Sequence, residues 1–387
     1  VTGEDRIPLA RPELGGREEE LVLEVIRSGR LSLGPALERF ERDFAAWLGV
    51  SDAVAVSSGT AALHLGVRAL GWGEGAEVVT SPFSFVASAN CLLYEGATPV
   101  FADVDPVTLN LDPAAVDSAL TERTTGILPV DLFGYPAALP ELERVATGHG
   151  LGVLEDSCEA VGAVDSEGMR VGARGNLATF AFYANKQLTT GEGGVIVPSS
   201  PDVADRLRSE RNQGRAPDMG WVAHERLGFN YRLTDLQAAI GIAQLERADR
   251  LLAERARVAS LYGERLEALG AAPAGEGDPD DLVLPCADRG HERRSWFVYP
   301  VLLPVAVERD AVIAELGERG IEAKAYMPCI PLLPDYRRRF GPAEGRFPVA
   351  EQASARLLAV PFFGSMVEQQ VERVCAALAE ALGLSLA

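Results

Sequence analysis

Between residues 53 and 197 short apolar runs alternate with helical stretches, and successive strand entries lie about 20 to 30 residues apart. The runs are 53–56 (AVAV), 77–80 (EVVT), 98–104 (TPVFADV), 127–131 (ILPVD), 152–155 (GVLE), 177–183 (LATFAFY) and 195–197 (VIV). A helix-length crossover returns the chain to begin a strand parallel to the last, so this spacing predicts an α/β domain. Its sheet is expected to be mostly parallel and sandwiched by helices. Ligands of such sheets gather at the carboxyl ends of the strands. Ser57, Asp156 and Lys186 all fall at or just past such ends.

The flanking regions read differently. Helical spacing over 18–26 and 37–48 precedes the sheet region, and a helix capped at Thr234 follows it. The segment GAAPAGEGDPDD reads as a linker or exposed loop. A strand over 295–303 then opens a smaller unit. Helix, a strand-like 323–327, a Pro-rich loop and a final helix over 367–382 complete it as α+β. The expected division is residues 1–250 for a large domain with an N-terminal arm and 251–387 for a small C-terminal domain.

The formal charge of −20 argues against a nucleic-acid or anionic-membrane surface, although a small anion can still bind where the local field opposes the net sign. Five cysteines without a CxxC, and four histidines without an HExxH, point away from a disulfide framework and a metal centre. The opening VTGEDRIPLARPELGG has no apolar core, and no apolar run approaches about 20 residues. A soluble, cytoplasmic protein is the expectation.

Three stretches carry candidate chemistry. Lys186 is the one basic residue in NLATFAFYANKQLTTGEGGVIV, and it lies between two core strands. Burial favours the neutral amine that Schiff-base chemistry with a carbonyl needs, whereas a snorkelling lysine would be merely structural. Ser58-Gly59-Thr60 joins a strand to a helix, an arrangement that aims free N–H groups at an anion and equally serves as an ordinary cap. Asp156 ends an apolar run, where a carboxylate wants a cationic partner such as a protonated ring nitrogen, an arginine or a helix N-terminus. Phe85 or Phe83 offers a flat face to a ring or fills the core.

SSGTAAL, SPFSFVASAN, GATPVFADVD, VLEDSCEAVGA, FAFYANKQLTTGEGGVIV and GFNYRLTDLQAAIG follow one another in an order that resembles the DegT/DnrJ/EryC1/StrS aminotransferases. These are pyridoxal-phosphate enzymes of fold type I, acting mostly on sugar nucleotides. The resemblance implies that Lys186 forms the covalent link to pyridoxal 5'-phosphate and shuttles a proton. It implies that Asp156 keeps the ring nitrogen protonated, that the turn at Ser58, Gly59 and Thr60 binds the phosphate, and that Phe85 stacks on the ring. Asn230 would reach the phosphate of a second subunit, so that active sites are shared in a homodimer. The implied reaction moves the amine of glutamate to a keto-sugar.

Some positions depart from the family pattern. Ala181 stands where a phosphate-binding serine is frequent, and Glu159 where a glutamine near the cofactor's phenolic oxygen is usual. Asp131 and Pro331 replace frequent histidines, which bears on the substrate. A related branch deoxygenates sugars with histidine in place of the lysine, and Lys186 argues against it. Nicotinamide-dependent oxidoreductases would want a GxGxxG that SSGTAAL lacks. Two readings stay beside the leading one: a non-catalytic cofactor- or sugar-binding regulator, and an aminotransferase acting on a cyclitol or antibiotic sugar.

Overall fold

The computed structural model describes residues 6–216 and 223–384. Seven strands form the main sheet: β1 (Val54–Val56), β2 (Glu77–Thr80), β3 (Thr98–Phe101), β4 (Thr124–Leu128), β5 (Gly152–Asp156), β6 (Leu177–Ala181) and β7 (Gly194–Val197). They lie in the order β1-β7-β6-β5-β4-β2-β3. Only β7 opposes the others, because it pairs antiparallel with both β1 and β6. The carboxyl ends of the remaining strands therefore meet along one edge.

Alternation along the strands divides the core. Val54, Val56, Leu177 and Ile196 pack with the helices Gly59–Ala69 and Ala87–Tyr94. Ala53, Ala55, Ala178, Phe180, Val195 and Val197 point to the other face, toward the helices Pro35–Leu48 and Asp235–Leu245. Four phenylalanines lock that second face. Phe44 meets Phe180 at 5.3 Å and Phe182 at 5.8 Å, edge-on, and Phe40 meets Phe182 at 5.7 Å. Such contacts add roughly 0.5–1.5 kcal/mol each beyond burial, and they hold the end of β6 from which the Lys186 segment leaves. β6 is accordingly shorter than the expected 177–183.

Thr234 caps its helix as expected, in a capping box with Gln237. The helix breaks after Leu245, and Ala248–Ala268 is a separate one. Beyond it, β8 (Tyr299–Leu302), β9 (Lys324–Ala325) and β10 (Leu357–Val360) form an antiparallel sheet with β10 at its centre. The sequence reading overlooked β10. Its four apolar residues carry no alternation and run straight on from the helix Pro348–Arg356, so period gives no signal. A second core of residues 258–378, joined by Ile7, fills this part of the chain.

A ladder of flat groups ties the two sheets together. The Arg294 guanidinium lies 4.9 Å from the Tyr135 ring and 4.6 Å from Trp296. Trp296 stacks on Tyr299 at 5.4 Å, and Tyr299 on Tyr262 at 4.8 Å. Among the described residues no helix is long and apolar enough to cross a membrane.

Candidate active site

A cavity of about 540 Å³ opens at the carboxyl edge of the main sheet. Ser58, Gly59, Thr60, Phe85, Asp156, Glu159, Ala181 and Lys186 line it. They arrive from the ends of four different strands. β1 delivers Ser58 to Thr60, β2 leads to Phe85, β5 ends on Asp156 and runs to Glu159, and β6 leads to Lys186.

The 58–60 turn starts the helix Gly59–Ala69. Ser58 Oγ accepts the Ala61 N–H at 3.1 Å, so the cap reading holds for this hydroxyl, while the helix N-terminus still faces the cavity. Glycine at 59 is a packing requirement: a Cβ would stand 2.7 Å from Ala181 Cβ and 3.1 Å from Cys158 Sγ. Gly194 likewise lets β7 pass the turn, since a Cβ there would meet the Ser58 carbonyl oxygen at 2.5 Å.

Asp156 is 4% exposed. Its Oδ2 accepts from Ser88 Oγ at 2.7 Å and its Oδ1 from the Cys158 N–H at 3.2 Å. Among the described residues no lysine or arginine pairs with it, although buried carboxylates ordinarily find a cation.

Lys186 Nζ lies 3.4 Å from Glu159 Oε1 and 3.8 Å from the centre of the Phe297 ring. Glu159 Oε2 accepts the Phe133 N–H at 3.0 Å. Burial pushes the Glu159 carboxyl above the usual carboxylate range, against the pull of the Lys186 ammonium and the Phe133 N–H. Phe85 is 59% exposed, an unusual state for a phenylalanine on a cavity wall. Phe83, the other aromatic considered, is fully buried and packs edge-on against Phe133.

Asn230 does not line the cavity. It is exposed, between Phe229 and Tyr231, whose rings stack on each other at 4.9 Å and pack against His64. Asp131 and Pro331 also lie off the cavity wall. Asp131 is buried, accepts the Ala137 N–H and the Ser157 hydroxyl at 2.7 Å each, and its carboxyl is pushed up to about 7 by burial. It shapes the turn that presents Phe133 to Glu159. Pro331 is buried in the short helical turn Ile330–Leu332. Any effect of these two positions on a ligand must be indirect.

Sequence reasoning missed Ser88, Tyr183, Asn185, Phe297, Tyr326 and Met327 on the cavity wall. Ser88 lies one turn beyond Ser84 within SPFSFVASAN, and its partnership with Asp156 has no local signature. Phe297, Tyr326 and Met327 come from segments that flank β8 and β9 of the smaller sheet and reach the cavity only through tertiary packing.

The fold and site define an aminotransferase of fold type I. Residues 12–379 match the model of the DegT/DnrJ/EryC1/StrS aminotransferase family, and the chain belongs to that family. It is 39% identical over 382 residues to GDP-perosamine synthase of Caulobacter vibrioides, covering 97% of this chain and 98% of that protein. It is 36% identical over 386 residues to the spore coat polysaccharide biosynthesis protein SpsC of Bacillus subtilis, covering 96% of each. Among solved structures, DesV of S. venezuelae superposes with a TM-score of 0.89 at 34% identity, covering 98% of this chain and 99% of that one. DesI, solved in the presence of its TDP-sugar product, gives 0.85 at 30% identity, covering 98% and 93%.

Proposed function

We propose that this chain moves the amino group of L-glutamate to a nucleotide-linked keto-sugar, using pyridoxal 5'-phosphate. The observation that carries the reading is the meeting of a partly buried amine, Lys186, and a buried carboxylate without a cation, Asp156, in one cavity beside a helix N-terminus. That donor set fits the group. Asp156 would take the proton-bearing ring nitrogen, Thr60 and the backbone of the 58–60 turn the phosphate, and Phe85 the flat face. Glu159 would lie toward the phenolic oxygen. When bound, the cofactor supplies an aldehyde that captures amines and a ring that draws electrons from the carbon bearing them.

The protein's own part is positioning and proton transfer. Asp156, held by Ser88 and the Cys158 N–H, has its carboxyl fixed in one orientation. Lys186 Nζ is the mobile base: paired with Glu159, it can give up and take back a proton at the substrate carbon. Tyr326 and Met327 close the cavity from the smaller sheet and restrict water. Ala181 leaves the phosphate to the 58–60 turn and to Asn230, which we assign to the neighbouring site of a homodimer. Its exposure, with Phe229 and Tyr231 turned inward, supports that assignment. The proposed domains, 1–250 and 251–387, draw on the core that fills 258–378 with Ile7 alone from outside, while a further core packs Phe83, Leu109 and Phe133 against Phe297, Met327 and Phe347 across the boundary. The names of GDP-perosamine synthase and of DesI with its TDP-sugar product support a nucleotide-linked acceptor.

The test uses ¹⁵N-glutamate and a panel of GDP- and TDP-linked keto-sugars, with products read by mass spectrometry. Label in a sugar product supports the assignment. Label in cyclitols alone, or in no acceptor, overturns the nucleotide-sugar reading.

A further inference from the structure

Directly behind the segment that carries Lys186 sits a cation with no acid to match it. Arg255, on the helix Ala248–Ala268, is 5% exposed, and among the described residues no carboxylate pairs with it. The carboxylate whose charge reaches it, Glu13, is itself bound to Arg247 at 3.2 Å and Arg250 at 2.7 Å. Burying an unpaired guanidinium is costly, and other groups must offset it. Here they are four main-chain carbonyls from two separate segments, with the centre of the Phe362 ring 5.5 Å from the guanidinium. Nη2 donates to the Asn185 and Lys186 oxygens at 3.4 and 3.3 Å, and Nη1 to those of Trp296 and Phe297 at 3.4 and 3.2 Å.

Both segments matter to the same amine. One carries the Lys186 side chain, and the other carries the Phe297 ring on which Nζ rests at 3.8 Å. The planar fork of an arginine meets the two segments with separate nitrogens fixed in one plane, whereas a lysine offers a single nitrogen on a flexible stem.

We propose that Arg255 is a positioning residue for Lys186, clamping the Lys186 and Phe297 main chains together so that the amine is held where it meets its carbonyl partner. This rests on the reading of Lys186 as the cofactor lysine. Arg255 touches neither cofactor nor substrate and acts through the main chain alone. Removing the fork leaves the side chain of Lys186 intact but lets its loop and the Phe297 ring drift apart.

The experiment compares wild type, Arg255→Lys and Arg255→Met as full-length proteins. Two quantities are read besides turnover. One is the rate at which the apo-protein captures pyridoxal phosphate, followed by absorbance and by borohydride trapping mapped to Lys186. The other is the visible circular dichroism of the trapped chromophore, which reports its orientation. We expect capture slowed at least about tenfold in Arg255→Met, with an altered dichroic band and a retained cooperative melt. Arg255→Lys should fall between, because it keeps the charge and loses the fork. Folded variants that capture at the wild-type rate with the wild-type band overturn the proposal, as does failure of both variants to fold, which would make Arg255 a general structural residue. If wild type itself does not trap the cofactor on Lys186, the functional reading fails, not the clamp.

Discussion

Adding one methyl group at Gly59 tests the phosphate-binding turn without touching a polar atom. In Gly59→Ala the new Cβ stands 2.7 Å from Ala181 Cβ, where carbon atoms prefer about 3.5–4.0 Å. The turn and β6 must separate by roughly 1 Å to relieve it. Alanine gains up to about 1 kcal/mol in helix propensity, while overpacking costs about 1–3 kcal/mol. The fold should therefore lose no more than about 3 kcal/mol, inside a normal stability margin. Binding should suffer in addition. A shift of about 1 Å in the first N–H groups of the helix Gly59–Ala69 spoils at least one hydrogen bond to a charged group, worth about 1.5–3 kcal/mol. The Kd for pyridoxal phosphate should rise by about tenfold to a hundredfold at 1.4 kcal/mol per decade. Equilibrium titration followed by absorbance reads the Kd, and a urea melt reads the fold. An unchanged Kd in a stably folded variant would refute the placement of the phosphate at this turn.

Lys186→Ala should abolish transamination while preserving the melt and leaving a weaker, non-covalent affinity for the cofactor; residual turnover above background would argue against the lysine's role. Asn230→Ala and Lys186→Ala subunits, each inactive, should recover activity when exchanged, since some mixed dimers carry one intact composite site. No recovery, with exchange demonstrated, would assign Asn230 to its own subunit. Asp131, raised from 3.8 to about 7, stabilises the fold below its unfolded value and loses that contribution as pH rises through about 7. The loss is on the order of 4 kcal/mol at about 1.36 kcal/mol per unit. Urea unfolding at about pH 5 and pH 8 crosses about two of those units, so Asp131→Asn should be less pH-dependent than wild type by about 3 kcal/mol; equal slopes would contradict it.

The main sheet was legible because its strands are short, apolar and separated by helix-length gaps, and because ligand chemistry falls where such strands end. That rule points to Ser57, Asp156 and Lys186, the strand–turn–helix pattern points to the 58–60 turn, and the structure gathers Asp156, Lys186 and that turn on one cavity. Period and composition failed where tertiary structure decides. β10 carries no alternation, since it is covered on both faces, and the strand-like 295–303 shrinks to Tyr299–Leu302 because Trp296 and Phe297 turn away to serve the ladder and the cavity. Phe297 and Tyr326 arrive at the site from beside the strands of the smaller sheet, so nothing near them in sequence announces it. Asp131 shows the opposite error: a residue with substrate-like placement in the family pattern is buried beneath the Phe133 turn, where it organises main chain.

The central claim is that Lys186 and Asp156 together hold an amine-accepting cofactor. The most direct measurement is the visible absorption spectrum of protein loaded with pyridoxal phosphate, before and after glutamate. The account predicts a yellow band that gives way to a shorter-wavelength form on adding glutamate, and that is absent from Lys186→Ala. A protein that stays colourless after incubation with the cofactor, or a band that glutamate leaves unchanged, would contradict it.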